Sequence, residues 1–236
     1  MILKSYKRKL LPWIFVNFIK HANANEPVMD ASHLIQTVYS QLNNFTDCPK
    51  TNLDYIWKTH GFSAGIRESD VHKRGVFITR GNVTPGCIVG YYPGTVYRPG
   101  DSIFIQSISN SYIFQCADGT FIDGKHNGIS GKFYNSCSER NRLGPHITCD
   151  QSWLTLTNLV NPLACGQIVN NGGKKQSNVC YVEIDIDLRM ISLKQRKFIP
   201  NVLHSEPNAY LRMVLLVATK EILEGQEVLS SYFSVF

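Results

Sequence analysis

The sequence predicts a mostly β fold that carries an N-terminal helical segment, and three observations lead there. Short runs rich in β-branched and aromatic residues recur from residue 75 onward, each bounded by Gly, Pro or Asn, as strands joined by turns require. No amphipathic helical stretch alternates with them, and no GxGxxG loop is present, so a doubly wound βαβ sheet is disfavoured. Before residue 61 the apolar period shifts from two to near 3.6.

The elements are taken in chain order. Ala31, Leu34, Ile35, Val38 and Leu42 share one helical face, with Asp30 or Ser32 placed to cap it. A second short helix is expected from Thr51 as N-cap through Leu53, Ile56 and Trp57, ending at Gly61. Strands are expected over residues 75–79, 87–92, 111–114, 178–184 and 212–218. Pro93-Gly94, Asp118-Gly119 and Asp123-Gly124 read as turns. Residues 125–160 read as loop, with Trp153-Leu154 as the anchor. The expected division is a basic arm and helical appendage over 1–60 and a β domain over 61–236.

Composition narrows the function classes. With 43% hydrophobic and 18% charged residues among 236, the chain can bury a core. No apolar run approaches the roughly 20 residues of a membrane span, so none is expected. The net charge of +6 is local. Residues 1–25 hold Lys4, Lys7, Arg8, Lys9 and Lys20 with no acid, leaving 19 basic against 18 acidic residues elsewhere. The core is near neutral, so direct nucleic-acid binding by the core is not implied. The apolar stretch 10–16 before Ala22-Asn23-Ala24 has the outline of a secretory signal, but Asn17 and Lys20 interrupt it. A segment packed on the domain is the preferred expectation. Seven cysteines, scattered and without a CxxC pair, argue against a disulfide framework and a zinc cluster. No metal site is expected; free thiols in a reducing intracellular compartment, nucleus or cytoplasm, are.

Generic motifs assign no chemistry, since HExxH, a phosphate-cradling loop and a compelling Ser-His-Asp order are all missing. Four segments in order, however, resemble the SET domain of protein lysine methyltransferases. Lys73-Arg74-Gly75-Val76-Phe77, with Gly90-Tyr91-Tyr92-Pro93-Gly94 after it, is similar to the family's opening G-x-G-[VL]-F … Y-x-G pattern. Tyr112-Ile113-Phe114 … Ile122-Asp123-Gly124 is similar to Y-x-F … I-D-A. Cys165-Gly166-Gln167-Ile168-Val169-Asn170-Asn171 sits where the family has its R-F-[IV]-N-H stretch. Glu224-Gly225-Gln226-Glu227-Val228-Leu229 … Tyr232 resembles G-E-E-L … Y. The resemblance spans residues 61–236. The family's Asn-His pair is Asn170-Asn171 here, and no cysteine-rich flank accompanies the domain.

The resemblance implies several small sheets with a pseudoknot-like C-terminal crossing. It implies S-adenosyl-L-methionine as cofactor and a protein or peptide lysine as substrate, with a catalytically inactive SET-like scaffold for protein–protein interaction as the alternative. By motif position Tyr232 is the catalytic tyrosine, while Tyr92 and Tyr181 line the lysine channel. Arg74, Gly75, Val76, Tyr112, Asn170, Asn171 and Tyr232 form the cofactor side, Gly75 by leaving room for close backbone approach. Phe233 and Phe236 are candidates for the aromatic that covers the cofactor. The sequence fixes no oligomeric state.

Overall fold

The computed structural model describes residues 30–206 and 208–235, the last four of these by backbone alone. The basic arm and the apolar stretch 10–16 lie outside the described residues, as does Phe236. Helix α1 (Ala31–Asn44) begins where the periodicity places it, and the Asp30 carboxylate accepts from Ser32 N at 2.9 Å. Its buried face is Leu34, Val38, Gln41 and Leu42. Helix α2 (Pro49–His60) starts ahead of the expected Thr51 cap, because Pro49 takes the first helical position behind Cys48. Gly61, at φ 75°, closes it in the left-handed conformation.

The strands then build two sheets. They are β1 (Phe62–Glu68), β2 (Arg74–Gly81), β3 (Ile88–Tyr91), β4 (Gly94–Tyr97), β5 (Ile113–Gln115), β6 (Phe121–Asp123), β7 (Asn170–Asn171), β8 (Val179–Asp187), β9 (Asn201–Leu203), β10 (Tyr210–Ala218) and β11 (Glu227–Val235). The larger sheet runs β1-β2-β11-β8-β10-β3, with β7 on β11; the smaller runs β5-β6-β4-β9. Asp118-Gly119 makes the expected turn, closing the β5–β6 hairpin. Pro93-Gly94 does something else: it carries the chain from β3 in one sheet to β4 in the other.

Strand β11 enters between β2 and β8. Val228 pairs antiparallel with Val76, while Leu229 pairs parallel with Asn170 and Ser230 with Val179. This insertion gives the C-terminal crossing its form and brings residues from three distant segments into contact. One core runs through both helices and the larger sheet, including Leu34, Val38, Leu42, Ile56, Val76, Tyr91 and Val214.

Residues 125–160 correct the loop expectation. Helix α4 (Gly128–Arg140) occupies their first part, after the short helix α3 (Phe104–Ser107). Its buried face is Ser130, Gly131, Tyr134, Cys137 and Ser138. Small polar residues leave no apolar stripe to read, yet they let the helix approach its neighbours closely. Tyr134 OH donates to Asp150 O at 2.6 Å, and its ring meets the buried Trp153 edge-on at 4.9 Å. All seven cysteines are free thiols, five of them buried.

Candidate functional site

Two neighbourhoods, one on the larger sheet and one between the two sheets, are joined through Ser230 and gather most of the residues singled out in the sequence. In the first, Gly75 opens β2 beneath Glu227. A Cβ built on Gly75 would overlap Glu227 Oε1 and lie 2.8 Å from Glu227 Cδ and 3.1 Å from Asn170 Nδ2. The glycine is therefore demanded by a carboxylate of this same chain. Asn170 Nδ2 donates to Glu227 Oε1 at 2.7 Å and to Arg74 O at 2.9 Å. Ser69 Oγ lies 2.9 Å from both Glu227 carboxylate oxygens and donates to them. Asn170 thus ties the loop before β2 to the start of β11.

Asn171 has a different role. Its Oδ1 accepts from Gly173 N at 3.0 Å, shaping the turn into the short helix α5 (Gly173–Gln176). Val76 is fully buried, flanked by Ile66 on one side and Val228 on the other. Arg74 is exposed, and only its carbonyl is drawn into the Asn170 cluster.

The second neighbourhood is aromatic. Tyr92, Phe114 and Tyr181 are buried with ring centroids 5.4 Å (Tyr92–Phe114), 6.4 Å (Tyr92–Tyr181) and 5.0 Å (Phe114–Tyr181) apart. The Tyr92 hydroxyl donates to Tyr112 O at 2.8 Å. Tyr181 OH lies 3.0 Å from Ser230 Oγ, which donates to Asn170 O at 3.3 Å. A carbonyl can only accept, so the Ser230 proton goes to Asn170 and the Tyr181 proton goes to Ser230. Both tyrosine hydroxyl protons are thus spent on protein acceptors. Burial, partly offset by the Ser230 hydrogen bond, holds the Tyr181 phenol well above its ordinary range, so it is neutral at physiological pH.

Tyr112 is half-buried and faces His126 edge-on, with centroids 6.3 Å apart. Burial first, then the charges of Arg74 and Lys125, keep His126 below the usual imidazole value. Tyr232 lies on β11 two positions beyond Ser230; its side chain, like that of Phe233, is outside the described residues.

Sequence reasoning did not single out Glu227, Phe114, Ser230, His126 or Gln167 for a role. Glu227, Phe114 and Gln167 stand inside the quoted motifs, which is the signal that could have found them. Nothing local shows that Glu227 reaches Gly75, because that contact exists only once β11 is inserted.

Two other features lie apart from this cluster. Ligand atoms of Cys116, Asp118 and Glu183 come within 4.8 Å of one another. Arg212 already balances that group, at 2.8 Å from Glu183 and 3.1 Å from Asp118, with Asp185 at 2.8 Å. Burial holds the Cys116 thiol well above its usual range, in its protonated form. A cleft of about 740 Å³ between residues 45–47, 145–152 and 193–198 shares no residue with the site.

The site is thus a buried aromatic cluster, wired by hydrogen bonds through Ser230 and Asn170 to the start of β2 and crossed by an inserted C-terminal strand. The chain belongs to the SET domain family. It is 42% identical over 186 residues, 77% of its length, to SET domain-containing protein 9 of Pongo abelii and, equally, to that of Homo sapiens. The match spans 67% of the first relative and 62% of the second, so the chain covers less than two thirds of the human protein. No protein-family profile matches the chain. A solved structure, CpSET8 from Cryptosporidium, is 11% identical and overlays 92% of this chain and 84% of its own with a TM-score of 0.39. No helix among the described residues is long and apolar enough to cross a membrane.

Proposed function

We propose that the protein is an S-adenosyl-L-methionine-dependent protein lysine methyltransferase. The observation that carries this is the hydrogen-bond polarity of the buried aromatic cluster. Neither Tyr92 nor Tyr181 has an uncommitted hydroxyl proton to offer, and burial keeps Tyr181 neutral, so the Tyr181 oxygen receives an N–H and turns an amine lone pair away from itself.

Free lysine has a pKa near 10.4, and only the neutral amine attacks a methyl group. Apolar surroundings disfavour the ammonium, so an amine brought against Tyr92, Phe114 and Tyr181 loses its proton to water before reaction. The cofactor, when bound, supplies an electrophilic methyl group on a sulfonium. Tyr92 and Tyr181 orient the amine, and the fixed geometry of their hydroxyls holds that orientation without reorganisation. Tyr232, by its motif position, orients the same amine at the methyl end. Arg74, Gly75, Val76, Tyr112, Asn170 and Asn171 would hold the cofactor. One feature of the chain fits that group: a buried amide with neither atom paired, at Gln167.

The substrate is a protein or peptide lysine. Free thiols throughout fit a reducing intracellular compartment, nucleus or cytoplasm. The test is incubation with methyl-labelled cofactor and protein or peptide substrates, with hydrolysis and mass detection of methyl-lysine. Methyl-lysine formed by wild type and lost in Tyr181→Phe is the expected result. Tight cofactor binding with no methyl-lysine on any substrate would turn the reading toward a non-catalytic scaffold.

A further inference from the structure

Gln167 is 3% exposed, yet neither its Oε1 nor its Nε2 has a hydrogen-bonding partner among the described residues. Buried amide groups left unpaired are strongly unfavourable, and a native fold that keeps one keeps it for something that pairs with it. Both ends of this amide are bare, so its partner must offer a donor and an acceptor together. A lysine amine offers donors alone and would satisfy only Oε1.

The place of Gln167 narrows the partner further. It sits in the turn Gly166–Ile168, which packs against β2 and leads directly into Asn170. On its other side a Cβ built on Gly124 would lie 3.0 Å from Gln167 Cβ and 2.9 Å from Tyr92 Cε1. Gly124 N donates to Tyr112 O, the same carbonyl that receives the Tyr92 hydroxyl. Gln167 therefore stands between the Tyr92–Tyr112 wall and the Asn170–Arg74 cluster.

We infer that Gln167 binds the zwitterionic amino-acid end of the cofactor, Oε1 accepting from its ammonium and Nε2 donating to its carboxylate. This rests on the cofactor reading proposed above and assigns the residue that recognises one end of that molecule.

The probes are S-adenosylhomocysteine and 5′-methylthioadenosine, two thioethers with an uncharged sulfur that share adenosine and differ in the amino-acid end. Calorimetric titration of the full chain should show wild type preferring S-adenosylhomocysteine. Gln167→Met keeps the shape and removes both polar atoms. It should lower affinity for S-adenosylhomocysteine by roughly tenfold to a hundredfold and leave 5′-methylthioadenosine unchanged. The unliganded variant should melt no lower than wild type, since it loses only unpaired groups. Gln167→Glu, which keeps the size but sets a carboxylate against a carboxylate, should show the same selective loss. If wild type binds neither probe, the cofactor reading fails and this inference with it. If wild type binds both equally, or the variants weaken both alike, Gln167 does not read the amino-acid end and the inference alone is overturned.

Discussion

Adding one methyl group at Gly75 tests what the glycine is for. The new Cβ of Gly75→Ala would overlap Glu227 Oε1, so the carboxylate must withdraw. Withdrawal breaks its hydrogen bonds from Asn170 Nδ2 at 2.7 Å and from Ser69 Oγ at 2.9 Å. Hydrogen bonds to charged groups contribute about 1.5–3 kcal/mol each, and Glu227 is half-exposed, so the lower value applies because water replaces part of the loss. The two together give about 3 kcal/mol, or roughly 6–12 °C in melting temperature for a chain of this size. Glu227→Ala alone removes the same bonds and should be destabilising by a similar amount. The double variant has no clash left and should lose about 3 kcal/mol rather than the doubled value. Urea unfolding of the four proteins measures this coupling directly. Additive losses would refute the reasoning and leave Gly75 free of Glu227. The folded double variant then serves the cofactor question: lost cofactor affinity assigns Gly75 to that site, whereas full affinity removes it.

Three further outcomes are expected. Tyr232→Phe should slow methyl transfer about 10²–10³-fold while cofactor affinity falls far less, as when one transition-state hydrogen bond is removed; equal turnover would remove Tyr232 from the chemistry. Burial holds His60 below its usual value. Its Nε2 must accept from Gln41 Nε2 at 3.0 Å, because Gln41 Oε1 already receives the Tyr91 hydroxyl. A depressed imidazole contributes stability above its unfolded value of about 6.5, lost as pH falls below it, so unfolding free energy should fall from pH 7 to 5 and His60→Gln should flatten that slope. Burial pushes Asp150 up from 3.8 to about 6, against hydrogen bonds from Ser152 and Asn161. A raised carboxyl favours the fold below about 3.8 and loses that contribution as pH rises through about 6. The loss is on the order of 3 kcal/mol, and Asp150→Asn should abolish it; an unchanged slope between pH 4 and 6.5 in that variant would count against the assignment.

What the sequence determined by itself is whatever depends on near neighbours. Helix α1 is legible because five apolar residues at helical spacing, with Asp30 ahead of them, specify its face and its start without reference to the rest of the chain. The Asp118-Gly119 hairpin is legible for the same reason, as are the strands at 75, 179 and 212, whose side chains prefer extended backbone wherever they sit. Four ordered motifs carried the family. Tertiary structure decided the rest. Helix α4 has Ser and Gly where an apolar stripe would announce it, and becomes a helix because Tyr134 and Trp153 bury against each other. Pro93-Gly94 looks like a turn and instead links two sheets, since β4 pairs with β6 and β9 rather than folding back on β3. The site itself was named in fragments by its motifs, but its wiring was not. Glu227 against Gly75, Asn170 holding Arg74, and Tyr181 turned toward Ser230 all arise when β11 slides between β2 and β8. A hydrogen bond forms only where donor and acceptor come within about 3 Å, and residues this far apart in sequence reach that distance through the fold alone.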